Sequence, residues 1–318
     1  MEKTEKRSIN LTSMKAVLLL AGFCCFLWGS ATPAIKTGYS LFQIDSSDTF
    51  SILMFAGIRF LLAGFLVILY HSMIKGRWIL PAKGSGMKLC NLALSQTILQ
   101  YFFFYVGLSH ATGVHGAIIT GTNVFISILF ASLIFRYEKL TSQKLVGCIL
   151  GFAGIVIMNL SGAGTDKLFE MSFLGEGFVL LAQVFYAISG ALIKKYSREY
   201  DVVTMSGYQF MLGGAALTAI GFLGGGTLAR APGILAAVLL LYLSFISAAA
   251  YTIWGILLKY NPVSRVTVFG FMNPLFGVVL SAAFLGEKEQ AFSVNALTAL
   301  VLVCLGIYVV NKEKQVKS

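Results

Sequence analysis

One arginine, Arg59, stands near the middle of an otherwise apolar run, eleven residues into 48–71. At the centre of a bilayer such a charge costs at least about 2.5–3.5 kcal/mol on insertion scales, so it is expected to face a protein interior or a watery cavity. There its guanidinium can hold a carboxylate through paired hydrogen bonds. The alternative is a structural arginine bonded to carbonyls or to a polar side chain of a neighbouring helix.

Other polar groups sit at similar depth in apolar runs: Gln96, Gln100 and Tyr101, then Asn123, Gln183, Tyr186, Gln209 and Asn273. Together they offer more donors and acceptors than packing requires. Buried amides need partners, so each also reads as glue between helices. Trp28, Tyr101, Tyr251 and Trp254 can form aromatic walls around a ligand, or serve as core or lipid-facing rings. Trp28 lies mid-run, away from the interfacial belt where such rings usually collect.

A second tier of charged and ionisable side chains could bind or exchange an ion. Lys36, toward the outer end of the first run, can attract an anionic group or snorkel to the interface. Glu176 lies about a turn into the sixth run. His115, with His110, lies near a short turn and could exchange a proton, although histidines in short loops are usually solvated. Glu138 and Glu287 close the fourth run of each half and are expected to cap the helices that follow them. Gly147 and Gly151 form a GxxxG that packs helix five against a neighbour or a second protomer.

The elements that must position these residues follow from composition. Of the 318 residues, 57% are hydrophobic and 12% charged, half the charged share of a soluble domain. Most of the outer surface must face lipid. At roughly 20 residues per span the length allows about ten helices and no sizeable soluble domain. Apolar runs fall near 14–38, 48–71, 86–108, 111–135, 142–160, 173–195, 201–223, 233–258, 262–285 and 291–310, separated by turn or charge signals. The first run follows Lys3, Lys6, Arg7 and Lys15. It is longer than a signal-peptide core and is followed by nine more, so it reads as a retained helix.

In a soluble protein the net charge of +11 would suggest nucleic acid as a partner; here the cations lie in the connections. On alternate sides nineteen Lys and Arg face four, the four being Lys36, Lys167, Arg230 and Lys288. That bias predicts both termini in the cytoplasm. Cys24, Cys25, Cys90, Cys148 and Cys304 sit in apolar runs without metal-ligand spacing and read as buried structural thiols. No metal or cofactor is expected. There is no nucleotide-binding fingerprint, HExxH or GxSxG, and no Asp or Glu at a run's centre. This argues against ATP-driven pumping and an intramembrane enzyme, and it leaves no visible carboxylate proton relay.

The two halves repeat. Gly57, Phe60, Leu62 and Gly64 recur as Gly207, Phe210, Leu212 and Gly214 at an offset of 150. Tyr101 and Phe104 correspond to Tyr251 and Trp254, and Arg59 corresponds to Gln209. Further along, 135–138 corresponds to 284–287 and 154–159 to 306–311. Five spans per copy turn the second copy over in the bilayer, an inverted repeat of the kind that supports alternating access. The fold expected is all-α integral membrane, ten transmembrane helices as two inverted five-helix repeats around a central cavity. Its parts are a cytoplasmic segment 1–13, a first repeat 14–160, an external linker 161–172, a second repeat 173–310 and a cytoplasmic tail 311–318.

This plan resembles the drug/metabolite transporter superfamily, in its EamA-like family. The resemblance rests on the order and spacing of Leu27-Trp-Gly29 with Lys36, Ile58-Arg-Phe60, Glu138-Lys-Leu-Thr141, Asn273-Pro274 and Gly286-Glu287, over about residues 14–310. The family often has a proline in helix four where helix nine has Pro274; this chain has Phe125 in that region. The resemblance implies a bacterial inner-membrane transporter, commonly an exporter of amino acids or related metabolites. It also implies a cavity lined by helices one to four and six to nine, with five and ten set apart.

The function expected is a secondary carrier that exports a small zwitterionic or anionic metabolite. The rivals within transport are export of drugs or organic cations and import of a small solute. The rival of another class is a membrane enzyme or receptor. Expected partners are a small-molecule substrate and the lipid bilayer, not nucleic acid, with a homodimer left open.

Overall fold

The computed structural model describes residues 10–111, 113–160, 172–229, 233–285 and 294–312. Lys3, Lys6, Arg7, Lys167, Arg230, Glu287, Lys288, Lys314 and Lys317 lie outside the described residues, as does all but the last residue of the 161–172 linker. No strand occurs among the described residues.

Helix follows the apolar runs. We label the segments α1 (Met14–Leu41), α2 (Thr49–Lys75), α3 (Gly86–His110), α4 (113–134), α5 (Ser142–Leu160), α6 (Phe173–Tyr196), α7 (Val202–Leu223), α8 (Gly233–Tyr260), α9 (263–285) and α10 (Val294–Lys312). Eight of them are long and apolar enough to cross a membrane; Ser142–Leu160 and Val202–Leu223 are not among those eight. Asp48 and Asp201 cap α2 and α7, accepting the N–H of Ser51 and Thr204 and the hydroxyls of the same two residues. The Ser51 hydroxyl and N–H hold the Asp48 carboxyl below its usual range. Gly76 ends α2 in the left-handed conformation (φ 63°) that glycine adopts without a Cβ clash.

Four segments depart from regular α-helix. In α3 the stretch Ala93–Leu99 is a π-helix, and α6 opens on another, Phe173–Gly177. In α4 the helix breaks at Thr122 between Gly121 and Asn123, although no proline is present, and ends on a π turn at Phe130–Ile134. In α9 a 3-10 stretch, Val268–Phe271, precedes Pro274.

The repeat is visible as contacts between counterparts. Gly57 and Gly207 correspond in sequence, as do Gly64 and Gly214, yet Gly57 packs on Gly214 and Gly64 on Gly207. A Cβ on Gly57 would lie 2.8 Å from the Gly214 carbonyl oxygen, and one on Gly214 would lie 2.7 Å from that of Gly57. A Cβ on Gly64 would lie 2.5 Å from the Gly207 carbonyl. Crossed pairing of this kind is what a two-fold axis between antiparallel helices produces. Phe60 and Phe210, counterparts at the middle of this contact, stack with centroids 5.4 Å apart. The same relation joins α5 and α10. A Cβ on Gly147 would meet the Gly306 carbonyl at 2.8 Å, and one on Gly154 would meet that of Ala299 at 3.0 Å. The GxxxG of helix five therefore packs within the chain.

The first helix of each half crosses to the other half: α1 lies on α8 and α9, and α6 on α3 and α4. The halves interlock around α2 and α7. Two of the five cysteines correct the sequence expectation. Cys24, Cys25 and Cys148 are buried, whereas Cys90 and Cys304 are exposed on the outer faces of their helices. No group of metal-ligating side chains occurs among the described residues.

The close approach of α2 and α7 generates a stability prediction. Gly57→Ala should lower the stability of the detergent-solubilised protein by roughly 1–3 kcal/mol, because the added methyl meets backbone that must shift. Gly22→Ala adds its Cβ where nothing lies within 4 Å and should leave the melting temperature unchanged. Equal melting temperatures for the two variants would refute the packing argument.

Candidate binding site between the halves

Arg59 is 4% exposed and projects from the centre of α2 into the seam between the halves. Its guanidinium carbon lies 4.6 Å from the Phe60 ring centroid and 5.8 Å from that of Tyr101. Among the described residues no carboxylate pairs with it, and its Nε has no hydrogen-bond partner. Four tyrosines, Tyr39, Tyr101, Tyr105 and Tyr251, surround it within electrostatic reach. Rings and phenol dipoles attract a cation, at about 2 kcal/mol or more for a desolvated pair. They do not neutralise it.

Tyr101 and Tyr251, counterparts at an offset of 150, share a hydrogen bond of 2.6 Å between their hydroxyls. This pair joins α3 to α8, as Phe60 and Phe210 join α2 to α7. Gln100 lies beside the Tyr251 hydroxyl, and its Oε1 is buried without a partner. Trp28 of α1 packs edge-on against Tyr251 at 5.2 Å and Trp254 at 5.0 Å, its buried Nε1 unpartnered. Tyr186 of α6 lines the same region. The cavity there, bounded by Gln96, Ser127, Tyr186, Tyr251, Trp254 and Thr267 among others, has space of about 10 Å³, room for roughly one water.

The π turn in α3 explains how several of these residues share one place. A π turn widens the helix by a residue and resets the direction of the side chains beyond it, and it is frequent at functional sites. Here it ends immediately before Gln100 and Tyr101.

Not every residue singled out in the sequence belongs to this group. Gln209, the counterpart of Arg59, is fully buried and spoken for: Thr97 Oγ1 donates to its Oε1 and its Nε2 donates to Gln96 Oε1, each at 2.9 Å. Gln183 Nε2 donates to the Val179 carbonyl of its own helix at 3.1 Å. Asn123 lies against Gly270 of α9. Asn273 keeps a buried, unpartnered Oδ1. Lys36 is exposed.

Two polar clusters were not foreseen as pairs. His115, expected as a solvated loop residue, is 8% exposed inside α4, its Nδ1 2.7 Å from Glu176 Oε1. The other oxygen of Glu176 accepts the Ser172 N–H (2.8 Å) and hydroxyl, so the carboxylate also closes the start of α6. Glu138, expected to cap helix five, instead accepts the N–H of Ser264 (2.8 Å) at the start of α9. Lys144 in the first turn of α5 completes that cluster. Residues 61 and 126 positions apart carry no spacing signal. The breaks in hydropathy beside Glu138 and Glu176 are the only hint that sequence offers.

Comparison with known proteins places this arrangement. The model of the EamA-like transporter family matches residues 15–160 and again residues 173–312. An uncharacterized transporter of Archaeoglobus fulgidus is 26% identical over 300 residues, covering 93% of this chain and 97% of that protein. An uncharacterized transporter of Bacillus subtilis is 26% identical, with 96% and 94% covered. A WAT1-related chloroplastic protein of Arabidopsis thaliana is 24% identical, with 94% and 70% covered. A solved crystal structure superposes with a TM-score of 0.74 at 19% identity, covering 93% of this chain and 96% of the other, which shows a shared fold.

The Gln209 network should behave as structure. Gln209→Leu leaves Gln96 and Thr97 without their partner and should cost about 1–3 kcal/mol, read as a lowered melting temperature. An unchanged melting temperature would return Gln209 to the set of groups free to meet a ligand.

Proposed function

The chain belongs to the EamA-like transporter family, a multi-pass membrane transporter family, and from that premise we propose that it is a secondary carrier exporting small zwitterionic or anionic metabolites, such as amino acids, by alternating access. On this reading ten helices span a bacterial inner membrane, both termini are cytoplasmic, and the two five-helix repeats enclose the substrate between them. The relatives' names supply transport alone; the substrate class rests on the chemistry of the site.

The observation that carries it is Arg59. A buried charge left unpaired is strongly destabilising, so a guanidinium with a free Nε among tyrosines is explained by a ligand that brings the counter-charge. The substrate carboxylate would sit on Arg59 beside the Tyr101–Tyr251 pair. Acceptors without partners, Gln100 Oε1 and Asn273 Oδ1, suit the ammonium end of a zwitterion, and Trp28, Trp254 and Tyr186 wall the remainder. An exporter of organic cations would want a carboxylate at this depth, and the sequence has none at a span centre.

Vesicles reconstituted with the purified protein should pass an amino acid or related acid faster than empty vesicles; equal rates across amino acids, sugars and dyes would end the carrier reading. Arg59→Gln should reduce transport by roughly 10–100-fold, the worth of a charge-assisted hydrogen bond. It should also abolish the substrate's stabilisation of the wild type against heat, while the variant still elutes as a single folded species. Unchanged kinetics would remove the carboxylate clamp.

Coupling, on this reading, belongs to the His115–Glu176 pair, the buried titratable pair nearest the opposite end from the basic loops. His115→Gln should abolish accumulation driven by a pH gradient while leaving exchange of substrate for substrate. Accumulation of normal size in that variant would make the pair structural.

A further inference from the structure

We propose that Glu138 is the latch of an inner gate: its carboxylate clamps the first half onto the second across the basic-end mouth of the cavity, and it must release Ser264 whenever the cavity opens to that side. This rests on the carrier reading above.

The backbone itself delivers Glu138 to this contact. Helix α4 stops on its π turn, and Arg136 takes a left-handed φ of 53°, a conformation uncommon for a residue other than glycine. The chain doubles back so that the Tyr137 N–H reaches the Ala131 carbonyl at 2.8 Å. This turns Glu138 inward, with its side chain 9% exposed. There one oxygen accepts the Ser264 N–H, and the other accepts the Ser264 hydroxyl (2.5 Å) and the Lys144 ammonium (3.1 Å). Glu138 and Lys144 belong to the first half and Ser264 opens α9 in the second.

A parallel set of bonds fixes the other side of the same mouth. Lys194 of α6 donates to the Leu258 and Asn261 carbonyls at the end of α8. Tyr137 donates to the Ala191 carbonyl of α6 at 3.1 Å, again first half to second. The cavity runs from Tyr251 and Trp254 to Leu258 and Val263, and Ser264 is the next residue. The Glu138–Ser264 contact therefore closes the path between the midplane rings and the basic end.

Its chemistry suits a latch better than a permanent brace. Three charge-assisted hydrogen bonds converge on one carboxylate, and the two from Ser264 are lost together if α4 and α9 part. On parting, Lys144 stays with Glu138, being six residues away in the same half, so the carboxylate is never left unpaired. The cost of opening is then confined to the Ser264 bonds.

The test reads accessibility, not transport. In a Cys90→Ser/Cys304→Ser background, which keeps the buried Cys24, Cys25 and Cys148, Ser127→Cys reports on the cavity. A membrane-impermeant maleimide is applied from either face of oriented vesicles. Glu138→Ala should speed labelling about tenfold or more from the basic face, given the worth of bonds to a charged group, and leave the opposite face unchanged. Ser264→Ala removes one donor and should give a smaller rise in the same direction, which decides the matter if Glu138→Ala folds poorly. Unchanged labelling in monodisperse Ser264→Ala and Glu138→Ala, or an equal rise from both faces, overturns the latch. Failure of the carrier reading looks different: wild-type vesicles pass no solute, while the one-sided change in labelling remains.

Discussion

The glycine contact between α2 and α7 is the constraint from which the rest of the molecule follows. In lipid no hydrophobic force drives helix onto helix, so close backbone approach and dispersion must do so, and small residues permit that approach. Gly57 on Gly214 and Gly64 on Gly207 bring two counterpart helices into antiparallel contact over two turns. That contact fixes the pseudo-two-fold axis between Phe60 and Phe210, and so fixes which residues meet their own counterparts. Tyr101 and Tyr251 meet because they too lie on that axis. Arg59, one residue from Phe60, is held at the seam by the same geometry.

Symmetry of scaffold with asymmetry of chemistry is the main feature of the site. The axis would make the surroundings of positions 59 and 209 equivalent, but one is a guanidinium and the other an amide. The amide is absorbed by Thr97 and Gln96, both fully buried neighbours on α3. Among the described residues the guanidinium meets rings and a tyrosine shell and no carboxylate. A strict two-fold site would bind a two-fold ligand, or one in two orientations. Breaking the pair at this position gives the seam a cationic end and a direction.

Much of this was legible in the sequence because it is carried by period and local composition. Apolar runs located the helices to within a few residues, and the 150-residue offset identified the counterparts that touch. Burial of Arg59 followed from its depth. What was not legible depended on backbone departures or on distant pairing. The π turn at Ala93–Leu99, which aims Gln100 and Tyr101, leaves no compositional mark. The left-handed Arg136 redirects Glu138 from helix five to α9, which no spacing rule anticipates. His115 read as a loop residue because a turn signal lies beside it, and its partner Glu176 is 61 residues away. Cys90 and Cys304 show the limit of hydropathy itself: an apolar run marks depth in lipid, not which face of the helix looks inward.

Two of these departures, at Arg136 and at His115, lie toward the two ends of the seam, and that placement has a physical reason. At the axis, counterparts meet and the packing is dictated by the repeat. Away from it, each half's first helix crosses to the other half and the contacts at the two ends are made by different residues. The basic end is joined by Glu138 to Ser264 and by Tyr137 to the Ala191 carbonyl; near the other end His115 meets Glu176. Close-packed apolar seams resist partial separation, because every ångström forfeits dispersion along the whole interface. Unlike the Tyr101–Tyr251 and Gln209 bonds buried near the axis, the polar clusters at the ends are bonds that solvent can satisfy once exposed. On the carrier reading, the packed axis of glycine and phenylalanine is the pivot, and the polar contacts between the halves at the two ends are what must part.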